Sequence, residues 1–273
     1  MYDDKFLRDI MKDIEECFLI DGKGFIILDG YEYIRDITTL YAKQHNLLES
    51  TLLLLENNNV EEAVVLARSL LNNYFLIGYL LNDHEDRRRL KTFHNQPLIS
   101  RKFQLKNMKE FISNNTSGIL SQEQKAEKLK KIKQELFDCN ELFKKNGIDK
   151  NAKPLSIINL AKNCDERGFG LYTSFYSDAS KYEHSDITCL DLYKKKFSDD
   201  FSNNQVFTLN MSSTDEVLKE KILRMVEMIY CDTFSKIMNN ISEKEKHLLV
   251  NFDQTKIIEV SRKITNKFLN EIK

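Results

Sequence analysis

The sequence is poor in backbone breakers: its 273 residues include 8 glycines and 2 prolines. Sheets need many tight turns, and those residues build them. The scarcity therefore argues against a β-rich fold and favours long helices. An excess of one charge is missing too. Lys and Arg number 41 against 42 Asp and Glu, a net charge of −1, so no global field would draw in nucleic acid or an anionic membrane. Contact with RNA would have to come from a local patch. No Cys-x-x-Cys spacing occurs. Cys17, Cys139, Cys164, Cys189 and Cys231 are odd in number and scattered, as expected of reduced thiols packed like small apolar residues. The start, Met1-Tyr2-Asp3-Asp4-Lys5, lacks the basic stretch and apolar run of a signal peptide. The longest nearly apolar stretch, Tyr74 to Leu81, falls short of the roughly 18 residues a membrane span requires. A cytoplasmic location without membrane contact is the expectation. Gly-rich phosphate loops, dinucleotide fingerprints and Gly-x-Ser-x-Gly elbows are also absent. His84-Glu85-Asp86 and Glu183-His184-Ser185-Asp186 juxtapose metal-ligand types, but helical neighbours point apart. No cofactor or metal is expected.

What is present is helical periodicity. Apolar residues make up 41% and charged residues 30% of the chain, an ordinary globular balance. Phe6, Leu7, Ile10, Met11, Ile14, Cys17 and Phe18 form one helical face. Phe25 to Leu28 reads as a short extended piece, and Tyr31 to Glu56 as a helix ending at Asn57-Asn58-Asn59. Val60 to Leu81 is apolar around nearly its whole circumference, the pattern of a central helix packed on several sides. A helical stretch from His84 to Asn114 bends or breaks at Pro97. Ser121-Gln122-Glu123-Gln124 is a capping box whose helix stops at Asn146-Gly147. Val206 to Leu209 reads as a short strand. A second capping box at Ser213 to Glu216 opens a long helix, and Ser242 opens the last one. The expectation is an all-α protein of one domain, residues 1–273, an antiparallel bundle of about eight or nine helices. Its core spans about residues 31–190, and residues 213–273 form a C-terminal helical hairpin. On that hairpin Met225, Met228 and Met238, with Val217, Val226 and Tyr230, widen the apolar stripe beyond a two-helix seam. Burial by a second copy, giving a homodimer, is the expectation, with the N-terminal helix as the alternative cover.

Two places could carry chemistry. Arg68 and Asn72, four residues apart, share a face of the central helix. A buried arginine, which cannot discharge, is either a register-fixing ion pair or a clamp for phosphate or developing negative charge. Tyr176, Ser180 and His184 recur every four residues and line one face if the helix continues. Two hydroxyls and an imidazole in one stripe form either a proton relay or an inert hydrogen-bond chain.

Ala67-Arg68-Ser69-Leu70-Leu71, Leu155-Ser156-Ile157 opening a short helix, and then Tyr172, Tyr176, Ser180 and His184 together resemble the bacterial domain-of-unknown-function family five-six-seven-seven. The likeness spans about residues 45–200. In that family a glutamate commonly follows the arginine by four positions; here Asn72 stands there, beside the site rather than in it. The family in turn resembles HEPN helical domains, many of them metal-independent ribonucleases of toxin and anti-phage systems, often dimeric. Active members carry Arg, four to six residues, then His, a spacing met here only by Arg87, Arg88 and Arg89 before His94. The resemblance implies an intracellular bacterial effector with a HEPN-like core that cleaves RNA. His184 would be general acid or base, Arg68 the phosphate clamp, and Tyr176 and Ser180 would orient the imidazole. RNA, a second copy and a partner protein from the same operon are the partners it implies. The alternative is a non-catalytic helical interaction or ligand-sensing module.

Overall fold

The computed structural model describes residues 4–20, 23–24, 31–84, 86–114, 120–183, 194–197, 206–209, 216–244 and 253–271. The protein is an all-α helical bundle. Eleven α-helical segments occur among the described residues, more than periodicity implies because short turns split some of the expected helices. They are α1 (Lys5–Cys17), α2 (Glu32–Glu56), α3 (Val60–Leu81), α4 (Arg88–His94), α5 (Gln96–Asn114) and α6 (Gln122–Lys145). After these come α7 (Ile157–Lys162), α8 (Glu166–Leu171), α9 (Ser177–Glu183), α10 (Glu216–Lys244) and α11 (Gln254–Glu271). A π-helical turn, Tyr172–Tyr176, joins α8 to α9. Two small antiparallel hairpins complete the list, β1 (Leu19–Ile20) with β2 (Lys23–Gly24) and β3 (Lys194–Phe197) with β4 (Val206–Leu209). The strand read at Val206 is thus β4, while Phe25 to Leu28 lie outside the described residues.

Local chemistry sets the boundaries. Ser121 caps α6 by accepting from Gln124 N at 3.1 Å, and the Gln124 side chain accepts from Ser121 N at 3.0 Å. Gly147, at φ +63°, stops that helix in the left-handed region, with Ile148 N reaching back to the Phe143 carbonyl. The break near Pro97 falls at Asn95, and Pro97 sits in the first turn of α5, where it costs no hydrogen bond. One boundary differs from its sequence signal. Ser242 does not open the last helix; α10 runs on to Lys244 and α11 begins at Gln254.

The described residues group into two compact units, Met1–Asn82 with Leu160–Lys273, and Asp83–Asn159. In the first, α3 is the centre, packed on α2, α10 and α9. Leu70, Leu71, Phe75 and Leu80 are fully buried, each worth about 1.5–3 kcal/mol of burial. Among the described residues α3 is the one helix long and apolar enough to cross a membrane, and it is mostly buried inside this unit. The apolar stripe of α10, including Met225, Val226, Tyr230 and Met238, is buried against α2 and α3 of the same chain. Val217 remains exposed. That stripe is therefore covered within the chain, chiefly by α2 and α3, with the end of α1 alongside through Phe18 against Phe234, and does not itself require a second copy. Helix α11 packs chiefly on α1.

In the second unit α5 and α6 pack on each other through Leu105, Ile112, Ile132 and Cys139. Cys17, Cys139, Cys164 and Cys231 are all buried and free; Cys189 lies outside the described residues.

Candidate functional site

Helix α3 is apolar apart from two neighbouring stripes, Glu62, Ser69 and Asn73 on one and Glu61, Arg68 and Asn72 on the other, each at intervals of seven and four residues and so sharing a face. Arg68 is half-buried. Its guanidinium carbon lies 4.6 Å from the centre of the Tyr176 ring, a cation–π contact strengthened by partial desolvation. The structure thus brings together two of the sequence-predicted residues, from α3 and from the π-helical turn.

That turn is why the ring lies there. In a π-helix the wider winding brings residues four apart more nearly into line than in an α-helix. Tyr172 and Tyr176 stack at 5.2 Å with planes 19° apart, and Phe169 stacks on Tyr172 with planes 7° apart. The result is a column, Phe169–Tyr172–Tyr176, closed at one end by Arg68 and approached at the other by Lys162 Nζ. Phe75 of α3 packs edgewise against Tyr172. The π turn was not legible in the sequence, and neither was the place of Phe169 in the column, although Tyr172 and Tyr176 were singled out.

Among the described residues, Asn72 Oδ1 and Glu61 Oε1 are buried and accept no hydrogen bond. Buried acceptors left unpaired are costly, and in native structures they often mark a functional site. Beside this stripe a cavity of about 200 Å³ is lined by Val64, Phe175, Asp178, Ala179, Lys181 and Lys221, among others. Val64 is one turn before Arg68. Two lysines share one carboxylate there, at 3.1 Å for Lys181 and 3.8 Å for Lys221 to Asp178.

Ser180 lies half-buried in α9, and no hydrogen bond joins it to Tyr176 among the described residues. His184 lies outside the described residues. Arg88 and His94 open and close α4 in the other unit, and Arg88 pairs with Asp86. Asp83 fastens that segment by accepting from the backbone N–H groups of Arg89 and Leu90.

A second polar cluster was missed by sequence reasoning. Tyr74 of α3 donates to Asp232 at 2.8 Å, and Lys236 donates to Tyr74 at 2.8 Å and pairs with Asp232 at 2.6 Å. Lys236 also pairs with Asp165, the N-cap of α8, and Arg167 pairs with Asp232 at 2.9 Å. Burial, then Asp232, pushes the Tyr74 phenol far above its usual range. The i,i+4 spacing of Asp232 and Lys236 was available as a signal; their junction with Asp165 was not. Beneath the cluster Gly78 faces Cys164, whose Sγ would lie 2.1 Å from an added Cβ. His45 is a further residue that sequence reading passed over. Its Nδ1 lies 2.8 Å from the Tyr230 hydroxyl, beside the stacked pair Tyr41 and Tyr230. With its ring satisfied inside that packing, it has the environment of a structural histidine.

Comparison with known proteins returns one family model, described as a family of unknown function, which matches residues 37–202. That span includes the Arg68 stripe, the aromatic column and all of the second unit. No curated protein and no solved structure matches.

Proposed function

The chain belongs to the family of unknown function (DUF5677), and we propose that it is a metal-independent, HEPN-like ribonuclease acting in the bacterial cytoplasm, in anti-phage defence or as a toxin. The observation that carries the reading is the seating of Arg68 against Tyr176 at the π-helical turn. A guanidinium held over a ring keeps its charge in partly desolvated surroundings, where it can meet phosphate oxygens. π-Helical turns are themselves frequent at functional sites.

In this reading His184 takes the proton of a ribose 2′-hydroxyl, whose oxygen attacks the adjoining phosphorus. The 5′-oxygen leaves with a proton taken from water, to which His184 gives up the proton it had accepted, and a 2′,3′-cyclic phosphate remains. Arg68 offsets the charge that grows on the non-bridging oxygens. Tyr176 fixes Arg68 through its ring, and Ser180, four residues before His184, orients the imidazole. Expression in bacteria tests it. Wild type is expected to arrest growth and degrade RNA, and His184→Ala and Arg68→Met to do neither. Equal harmlessness of all three, with RNA intact, would end the proposal.

One observation favours a second reading, a non-catalytic ligand-sensing module. The unpaired acceptor Asn72 Oδ1 suits a small ligand that donates a hydrogen bond. A metabolite that raises the melting temperature of wild type but not of Asn72→Leu, in a chain inert towards RNA, would select it.

A further inference from the structure

The charge of the chain is divided unevenly. Residues 83–159, the second unit, hold 17 Lys and Arg against 10 Asp and Glu, a net +7; the remaining residues hold 24 against 32, a net −8. The near-zero total is a cancellation, and it conceals a basic body of the kind that attracts polyanions.

We propose that α5 and α6 of this unit form a binding surface for single-stranded RNA, centred on the groove lined by Lys102, Lys106 and Lys109. The inference deepens the ribonuclease reading and rests on it for the choice of RNA as the polyanion. The groove, about 560 Å³, is completed by Ser113, Asn114 and Asn140 among its neutral donors. The three lysines follow at intervals of four and three, so α5 presents one cation per turn on a single face.

Lys102 is the informative member. It is 8% exposed, yet its ammonium meets a neutral carbonyl, that of Lys150 at 3.2 Å, and the Phe143 ring, at 4.0 Å. None of the three lysines forms an ion pair among the described residues. Carboxylates are not lacking on this hairpin: Glu127, Glu135 and Glu141 pair with Lys131, Arg101 and Lys144 elsewhere on it. Only Glu110 lines the groove. Lys102 is thus held in place and left uncompensated, which costs stability unless an anion binds there, and the exposed Lys106 and Lys109 add charge beside it.

Exposed rings identify the class of anion. Phe103 and Phe137 are 52% and 60% exposed, Phe103 three residues from Lys106 on α5 and Phe137 three from Asn140 on α6, so each stands on the helical face next to the groove. Aromatic faces beside a basic groove are how proteins hold unpaired strands, with bases on the rings and phosphates on the cations. An anionic membrane would instead need one contiguous apolar face, whereas on α5 the exposed rings, Phe103 and Phe111, are separated by charged and amide residues.

Fluorescence anisotropy of the full chain with a 2′-O-methyl oligonucleotide tests the surface. That probe cannot be cleaved through its 2′-oxygen, so binding is read whether or not the chain is a nuclease. The expected result is salt-dependent binding that Lys106→Glu/Lys109→Glu weakens by about tenfold or more at ~100 mM salt, with the salt slope reduced by about 1.4. A melting temperature near wild type would show that this surface variant remains folded. Affinity unchanged in the double variant would overturn the proposal. So would binding to vesicles containing anionic lipid with none to the oligonucleotide.

Discussion

Each unit of this protein withdraws a lysine from solvent, Lys236 in part and Lys102 almost wholly, and the two are surrounded in opposite ways. Lys236 of the first unit meets Asp165, Asp232 and the Tyr74 hydroxyl. Lys102 of the second meets only a carbonyl and a ring. A cation matched by carboxylates holds helices in register; a cation left unmatched in a groove is suited to an anion from outside. The difference follows the division of charge, a net −8 against a net +7. It teaches that burial of a charge does not itself reveal its role. The partners do.

The largest expected effect lies in the packing under the matched lysine. Gly78→Ala places a Cβ against the Cys164 side chain, with Cys164 Cβ 3.2 Å away as well. Overpacking there is expected to cost about 2–3 kcal/mol, read as a lower urea midpoint with an unchanged slope. A midpoint equal to wild type would mean that this unit is looser than its packing implies.

Exchanging each lysine for methionine sharpens the contrast. Lys236→Met strands two partly buried carboxylates, Asp165 and Asp232, of which Asp232 keeps Arg167. A loss of about 2 kcal/mol is expected, below the 3–5 kcal/mol of a fully buried pair. Lys102→Met keeps the stem and the Phe143 packing and removes the desolvated charge. Its stability is expected to match wild type or exceed it by up to about 1 kcal/mol. Equal losses in the two variants would erase the distinction.

Their pH profiles are expected to differ in sign. Burial alone would raise the Asp165 carboxyl, but hydrogen bonds from Lys236 and Gly168 N–H outweigh it and hold it low. Its contribution is complete above the ordinary carboxylate value of 3.8 and lost as pH falls through the folded value. For Lys236, burial lowers the pKa, but Asp165 and Asp232 outweigh it and raise it above 10.5. Its contribution is complete below 10.5 and lost as pH rises through the folded value. Burial, and then Lys106, lower the pKa of Lys102 below 10.5. Stability therefore rises with pH between its folded value and 10.5. Urea titrations of each Met variant against wild type, from pH 3 to 11 in about one-unit steps, read these slopes.

The smallest effect concerns a neutral contact. Tyr230→Phe removes the 2.8 Å hydrogen bond to His45 and keeps the stack on Tyr41. About 1 kcal/mol or less is expected, as a melting shift of a few degrees.

Much of the fold was legible because helices announce themselves locally. The all-round apolar pattern of Val60 to Leu81 marked the central helix, and Ser121 with Gln124 marked a boundary to the residue. Within the candidate site, Arg68 was legible as a polar interruption of an apolar helix, and Tyr176 as the first member of a four-residue repeat with Ser180 and His184. Their contact through a ring face was not, since nothing in the spacing signals a π turn at Tyr172. The division into two units was also hidden. Helix α3 ends at Leu81 and the chain returns to the same unit near Leu160, and no glycine- or proline-rich linker marks either crossing. A charge averaged over the whole chain then concealed the basic hairpin between them.

The central claim is that Arg68 and His184 serve RNA cleavage, and the reaction products test it most directly. Purified wild type, incubated in EDTA with a single-stranded RNA, is expected to yield fragments whose 3′ ends carry a 2′,3′-cyclic phosphate by mass spectrometry. Arg68→Met and His184→Ala, with melting temperatures near wild type, are expected to leave that RNA whole. RNA left intact by wild type, or cut equally by all three proteins, would contradict the account.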